Sequence, residues 1–410
     1  MNQPASLALR PVPYLVLLAP ASVLTVKSVA QICLAMLFLL AIFGLPKIQA
    51  QRLTSEERWL GLSLLLYPAA VLLGFVWLNH YPWRQFDAPL RLALAVPVLW
   101  FLARADLPYL KDYRLGCALG CMGAAGWALW TVNLPNAAHF NRATNSFANP
   151  IPFACIALIL AFSALPDTDC KPMERRVLTA CAILGLGAAL ASESRAILMF
   201  MPVAAILYAL SLRRPGAVGR RSWIGVSVVS LALFGVTALL LKDRVSESIQ
   251  QVTSYSAEPV NSSLGTRLQL WNASARIFLQ HPVLGVGKGN LPQELKLLAA
   301  NGSISPTAAG FDHSHNDMLF LLAETGIVGA LSVAAMYLAF LVAFAKRLGS
   351  ADARIRWAAY AGSVTLAAYV IFGLTDCMLT ISMQTAFLGL STTLLYAQIR
   401  QWERFGVHHA

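Results

Sequence analysis

Charge is what this chain lacks most. Only 12% of its 410 residues are Asp, Glu, Lys or Arg, and the acidic ones number 19 against 31 basic. A soluble domain averages roughly 25% charged residues, so this scarcity, with 58% hydrophobic residues, excludes an ordinary soluble domain. Short alternating apolar–polar segments are also missing, which excludes a membrane β-barrel. Seven cysteines (Cys33, Cys117, Cys121, Cys155, Cys170, Cys181, Cys377) show neither metal-site spacing nor a disulfide framework. No pair of acidic residues in the polar loops has the spacing of a metal site. "GVGKGN" (Gly285 to Asn290) lacks the spacing of a phosphate loop and has no Ser or Thr after Lys288, so it reads as a turn. The first apolar stretch has no small-residue cleavage site and runs almost directly into a second, so no cleavable signal peptide is expected.

What is present is a series of long uncharged stretches, the mark of an all-α polytopic membrane protein. About twelve spans are expected, each near the ~20 residues needed to cross ~30 Å. Their limits are 11–26, 28–46, 59–78, 90–105, 115–133, 151–165, 177–192, 195–212, 223–241, 317–345, 358–376 and 378–398. Lys and Arg crowd the gaps 47–58, 106–114, 166–176, 213–222 and 346–357, whereas the alternate short loops hold only Lys27, Arg84 and Arg142. By the positive-inside rule the crowded gaps and both termini are cytoplasmic. The net charge of +12 follows from these loops and needs no nucleic-acid partner.

One gap breaks the pattern. Residues 242–316 form a long polar segment on the outer face, expected as a small helical subdomain between the spans of 1–241 and those of 317–410. In "GTRLQLWNASARIFLQHP", Leu268, Trp271, Ala275, Phe278 and Leu279 recur at helical spacing. Thr266 and Gln269 form a capping-box pattern, so the helix is expected to begin there with Arg267 as its first residue. A cation at a helix N-terminus is disfavoured unless an anion joins it; a carboxylate such as Glu258 is the plain alternative to a bound ligand. "LPQELKLLAANG" reads as a second helix.

"HSHNDMLFLLAETGIVG" (His313 to Gly329) sets two imidazoles at the mouth of a span. Ser314 with Asp317 is another capping pattern, and Asn316 is also a good cap. Caps explain Ser, Asn and Asp but not the histidines. His315 is expected in the first helical turn, facing an outer cavity, where a neutral imidazole can accept a proton. His313, before the Ser314 cap, is expected to point elsewhere, binding acceptor phosphate or only shaping the loop. Glu324 falls on roughly the opposite helix face from His315. A straight helix from Asp317 to Ala345 would exceed the membrane core, so it should stand proud of the bilayer or break near Gly326 and Gly329. In "ASESRAILMF", Arg195 sits at an outer turn; snorkelling is the plain reading and a ligand contact the functional one. Arg142 in "NRATNSFANP" is a further outer arginine, either an anion ligand or a surface charge. Arginines and a histidine on one face suit a lipid-linked pyrophosphate, whose oxygens a guanidinium binds bidentately.

"HNDMLFLLAETGIVG" resembles the His-Asn-(nine residues)-Gly-x-x-Gly signature of O-antigen ligases, with His315, Asn316, Gly326 and Gly329 in register. His313 in the same register would put Glu324 where the first glycine belongs. The Arg195 turn, the Arg267 segment and "HPVLGVGKGN" resemble the same superfamily, which also holds O-antigen polymerases and protein O-oligosaccharyltransferases. The resemblance implies a twelve-helix GT-C-type fold in the bacterial inner membrane with a periplasmic active site. It implies an undecaprenyl-pyrophosphate-linked O-antigen donor and a lipid A–core sugar hydroxyl as acceptor, without cofactor or metal. His315 would be the general base and Arg195 and Arg267 would hold the leaving pyrophosphate. Arg142, His313 and Asn316 would bind substrate. From a different class, a flippase would place its polar residues at the midplane on broken helices; here they cluster at one face.

Overall fold

The computed structural model describes residues 9–45, 52–133, 142–167, 169–212, 231–243 without 233, 246 and 263–407. Among them every regular element is helical, and Asn145 and Ala148 form a lone bridge. The first eight helices are α1 (Val12–Ser22), α2 (Val29–Gly44), α3 (Ser55–Trp77), α4 (Asp87–Leu102), α5 (Leu110–Val132), α6 (Pro150–Ala164), α7 (Pro172–Leu190) and α8 (Ala196–Ser211). Then come α9 (Ser263–Gln280), α10 (Leu291–Ala300), α11 (Pro306–Ala309), α12 (Asp317–Ala345), α13 (Ala353–Gly373) and α14 (Ser382–Val407). Five stretches are long and apolar enough to cross a membrane: Ser55–Trp77, Trp83–Leu102, Leu110–Val132, Asp317–Ala345 and Ala353–Gly373. Val12–Ser22, Val29–Gly44, Pro150–Ala164 and Ala196–Ser211 are shorter apolar helices. Of the expected span 223–241, residues 223–230 and 233 lie outside the described residues, and 231–232 and 234–240 are helical.

The helices have little amphipathic contrast because lipid-facing and core-facing sides are both apolar. The exposed apolar side chains, such as Leu39, Phe43, Leu73 and Leu338, are those a bilayer would cover. α13 stands deepest, with 83% of its apolar window buried against 39–56% for the other four long stretches. It packs on α12, α14, α8 and α6. α14 is unusually polar for a buried helix. Thr392 and Thr393 spend their hydroxyls on carbonyls one turn back, at Leu388 and Gly389, and Gln384 donates to the Pro152 carbonyl. These bonds remove the cost of burying unpaired polar groups. α14 was expected to begin near 378; instead Met378–Thr380 forms a 3₁₀ turn and α14 starts at Ser382.

A network of ion pairs holds one end of the bundle. Arg347 bridges Glu56 (2.7 Å) and Glu403 (2.6 Å), Arg400 binds Glu57 (2.9 Å) and Arg404 reaches Asp106 (3.2 Å). At the opposite end α9, α10 and α11 form a separate small core. Leu270, Ala273 and Ile277 of α9 meet Leu291 and Leu295 of α10, Ala308 of α11 and Phe320 and Ala323 of α12. This corrects the expected α9 face: it turns inward on Leu270, Ala273 and Ile277, and Leu279 is 75% exposed. The start of α9 is corrected as well. Ser263 is already helical, so Thr266 is buried inside the helix and Arg267 is not its first residue. Gln269, the expected box partner, instead accepts the Ser305 N–H (2.8 Å) and ties α9 to α11.

Candidate functional site

The site end is organised by a break in α12. Gly326 adopts φ 61, ψ −162 inside the helix, as the overlong span and its glycines led one to expect. A break leaves backbone groups without helical partners, at several kcal/mol each in apolar surroundings. The segment Pro282–Gly289 replaces those partners. Val286 and Gly287 donate to the carbonyls of Ala323 and Glu324 (2.9 Å each), while Ile327 and Val328 donate to those of Pro282 (2.8 Å) and Val283 (3.3 Å). The approach requires glycine on both sides. A Cβ on Gly326 would lie 2.2 Å from the Val283 oxygen, and one on Gly285 2.4 Å from the Glu324 backbone carbon.

The turn at "GVGKGN" is therefore a clip on the broken helix. Lys288 is buried and holds Glu324 at 2.9 Å, stacked 4.2 Å above the Phe320 ring. Burial lowers the Lys288 pKa, but Glu324 outweighs it and the lysine stays charged. The Gly289 N–H also donates to Glu324 (2.8 Å). No sequence signal joins Lys288 to Glu324, although the placement of Glu324 away from His315 fits this arrangement.

The clip fixes the first half of α12, and the segment before it docks on the turn between α13 and α14. Asn316, not Ser314, caps α12: its Oδ1 accepts the Leu319 N–H (3.1 Å) and its Nδ2 donates to the Leu374 carbonyl (3.3 Å). The Ser314 hydroxyl donates instead to the Asn316 carbonyl (3.0 Å). Asp317 accepts the N–H groups of Met378 (3.1 Å) and Leu379 (3.2 Å), which accounts for the 3₁₀ turn and the delayed start of α14. These bonds present Asp376 to the histidines.

Both histidines converge on one carboxylate oxygen. His315 Nδ1 and His313 Nε2 each lie 3.2 Å from Asp376 Oδ1, and the two rings stand 4.3 Å apart. Two placements are thereby corrected. His315 is not in the first helical turn but precedes the cap with φ 50, a left-handed turn that swings its ring back over Asp376. His313 does not point elsewhere: its ring lies between Asp312 and Asp376. Asp376 is the residue to which the sequence reading gave no role at the site.

Electrostatics separate the two imidazoles. Burial works against a proton on His313, but Asp312 and Asp376 outweigh it and raise the pKa from 6.5 to about 9. Both ring nitrogens face carboxylates, so His313 is a poor proton acceptor near neutrality. His315 has Nδ1 on Asp376 and, among the described residues, no hydrogen bond at Nε2. With the proton on Nδ1, the Nε2 lone pair is available. Burial raises the Asp376 pKa, but the two histidines outweigh it and hold the carboxyl well below its usual range. Cys377 beside it is buried and its thiol pushed up, the opposite of an activated nucleophile.

The arginines stand at the same end. Arg195 caps α8 at the turn after α7. Arg142 donates to the Ser192 carbonyl of that turn (2.7 Å). Arg267 makes no hydrogen bond among the described residues; burial lowers its pKa, Asp376 raises it and Arg195 lowers it again. Arg267 thus feels both the dyad carboxylate and a like charge, an arrangement that an anion relieves. His313, His315, Arg267 and Arg195 are brought together, Arg142 adjoins the Arg195 turn, and Asn316 spends its amide on the fold. His313, His315 and Asp376 also form a grouping that could hold a metal, their ligand atoms lying within 4.8 Å of one another. The cationic His313 and Arg267 beside that carboxylate oppose a further cation.

No curated protein matches the chain. Residues 180–334 match the family model described as O-antigen ligase, a segment that contains Arg195, Arg267, the clip, both histidines and the break at Gly326. Through that segment the chain is similar to the O-antigen ligase superfamily.

Proposed function

We propose that the protein is an O-antigen ligase, which transfers glycan from undecaprenyl pyrophosphate to a sugar hydroxyl of lipid A–core. The reading places twelve spans of a GT-C-type fold in the inner membrane, with the histidine end in the periplasm and both termini in the cytoplasm. The observation that carries the chemistry is His315 held at Nδ1 by Asp376, beside Arg267. His315 Nε2 takes the proton from the acceptor hydroxyl as its oxygen attacks the anomeric carbon. The bond from that carbon to the pyrophosphate oxygen breaks, and its electron pair leaves with the pyrophosphate. Asp376 stabilises the imidazolium; Arg195 and Arg267, with Arg142 at the adjoining turn, bind the charge that gathers on the leaving group. His315 then releases its proton to water. A single displacement inverts the anomeric configuration.

Purified protein reconstituted with lipid-linked donor and lipid A–core tests this. Core-linked glycan should form without nucleotide, with inverted linkage. A deletion strain should keep core without polymer and accumulate the lipid-linked polymer. Single repeat units left on the core would instead assign a polymerase.

A further inference from the structure

A cavity of about 340 Å³ is lined by His313 and Asp376, with neither Arg267 nor Arg195 in its lining. Small-molecule sites run from ~300 to ~1,000 Å³, so it has room for a sugar unit but not for a glycan chain. Gln85, before α4, and Asn149, before α6, line it, and among the described residues neither side chain makes a hydrogen bond. Asp312 and His313 form its polar edge. The Lys288–Glu324 pair lies at its floor, and Phe320 and Ile381 supply apolar wall.

The lining discriminates between ligand classes. Its carboxylates, Asp312, Asp376 and Glu324, outnumber its cations, Lys288 and His313, and Lys288 is already spent on Glu324. A phosphate would meet net repulsion here. An alkyl chain would bury the two side-chain amides without partners. A sugar ring has hydroxyls for the amides and a C–H face for Phe320 and Ile381. We propose that this cavity binds an uncharged sugar residue of the acceptor glycan, next to the residue whose hydroxyl attacks, with Gln85 and Asn149 as its hydrogen-bond partners. Asp376 is shared by this cavity and by His315, so the carboxylate that holds the base also borders the bound sugar. The inference rests on the transfer reading above and names where its acceptor sits.

The test uses reconstituted full-length protein with lipid-linked donor and titrated acceptor. Each of Gln85→Leu and Asn149→Leu removes hydrogen bonds to the sugar, so the double variant should raise the acceptor KM about ten-fold. The donor KM and turnover at saturating acceptor should hold. Methyl glycosides of the neutral core sugars should compete with acceptor, and the double variant should lose about ten-fold of that competition. Inorganic phosphate should not compete. An unchanged acceptor KM in the double variant, or competition by phosphate that these substitutions abolish, overturns the proposal. A double variant whose donor KM rises in step overturns it too, since the residues would then serve the donor or the fold. Absence of transfer by the unaltered protein sinks the ligase reading instead, and the two failures are thereby distinct.

Discussion

His315 Nδ1 stands 3.2 Å from Asp376 Oδ1 across 61 residues of sequence. In the proposed transfer, the carboxylate selects the tautomer in which Nε2 is the base and stabilises the imidazolium that forms. Asp376→Asn keeps the shape but can offer an N–H in place of the acceptor oxygen. Turnover should fall by about 10²–10⁴-fold, the usual worth of base catalysis, with binding of lipid-linked donor unchanged. Wild-type turnover in Asp376→Asn, measured by single-turnover transfer, would remove Asp376 from the mechanism.

The clip on α12 makes a stability prediction. Lys288→Met leaves Glu324 buried and unpaired, and losing one partner of a buried pair costs about 3–5 kcal/mol. Lys288→Met/Glu324→Met should recover most of that loss. Thermal unfolding in detergent reads both. If Lys288→Met unfolds at the wild-type temperature, the pair does not secure the broken helix.

The parts legible in sequence were those written locally. The Arg195 turn and the break among glycines follow from charge, spacing and the length of one span. The subdomain helices are likewise local, yet their details were not. Two nearby polar residues, Ser314 and Asn316, could each cap α12, and the docking of Asn316 on Leu374 and of Asp317 on the Met378 turn decides which one does. Asp376 and Lys288 were missed because their partners lie 61 and 36 residues away. Nothing in "TDCM" or "GVGKGN" declares a partner across the fold. The inward face of α9 was misread because the partner that selects it, the clipped half of α12, is set by tertiary packing and not by helical period.

Arg267 and Arg195 should be required for donor. Arg267→Ala and Arg195→Ala should cripple transfer at normal membrane levels. Lysine should rescue only in part, because it keeps the charge and loses the planar fork. Full activity in both alanine variants would make these residues anchors and not ligands.

His313 gives a pH signature. Its folded pKa of about 9 lies above the ordinary 6.5. The stabilisation is therefore complete below about 6.5 and is lost as pH rises through about 9. Midpoints of thermal unfolding should fall between about pH 7 and 10, and His313→Asn should remove part of that fall. An identical pH dependence in the variant would contradict the pairing of His313 with Asp312 and Asp376.

Transfer should proceed in EDTA at nearly the rate seen with magnesium. Arg267 and Arg195 supply positive charge at the leaving group, and the His313–His315–Asp376 grouping already carries its own cation. Loss of activity in EDTA, restored by one divalent metal, would assign that grouping to a metal ion.

The most direct measurement compares His315→Ala with His313→Ala in reconstituted transfer at saturating acceptor, with donor binding and membrane level measured in parallel. His315→Ala should abolish formation of core-linked glycan while binding donor normally, and His313→Ala should retain substantial turnover. An active His315→Ala beside an inactive His313→Ala, or activity in both, would contradict His315 as the base.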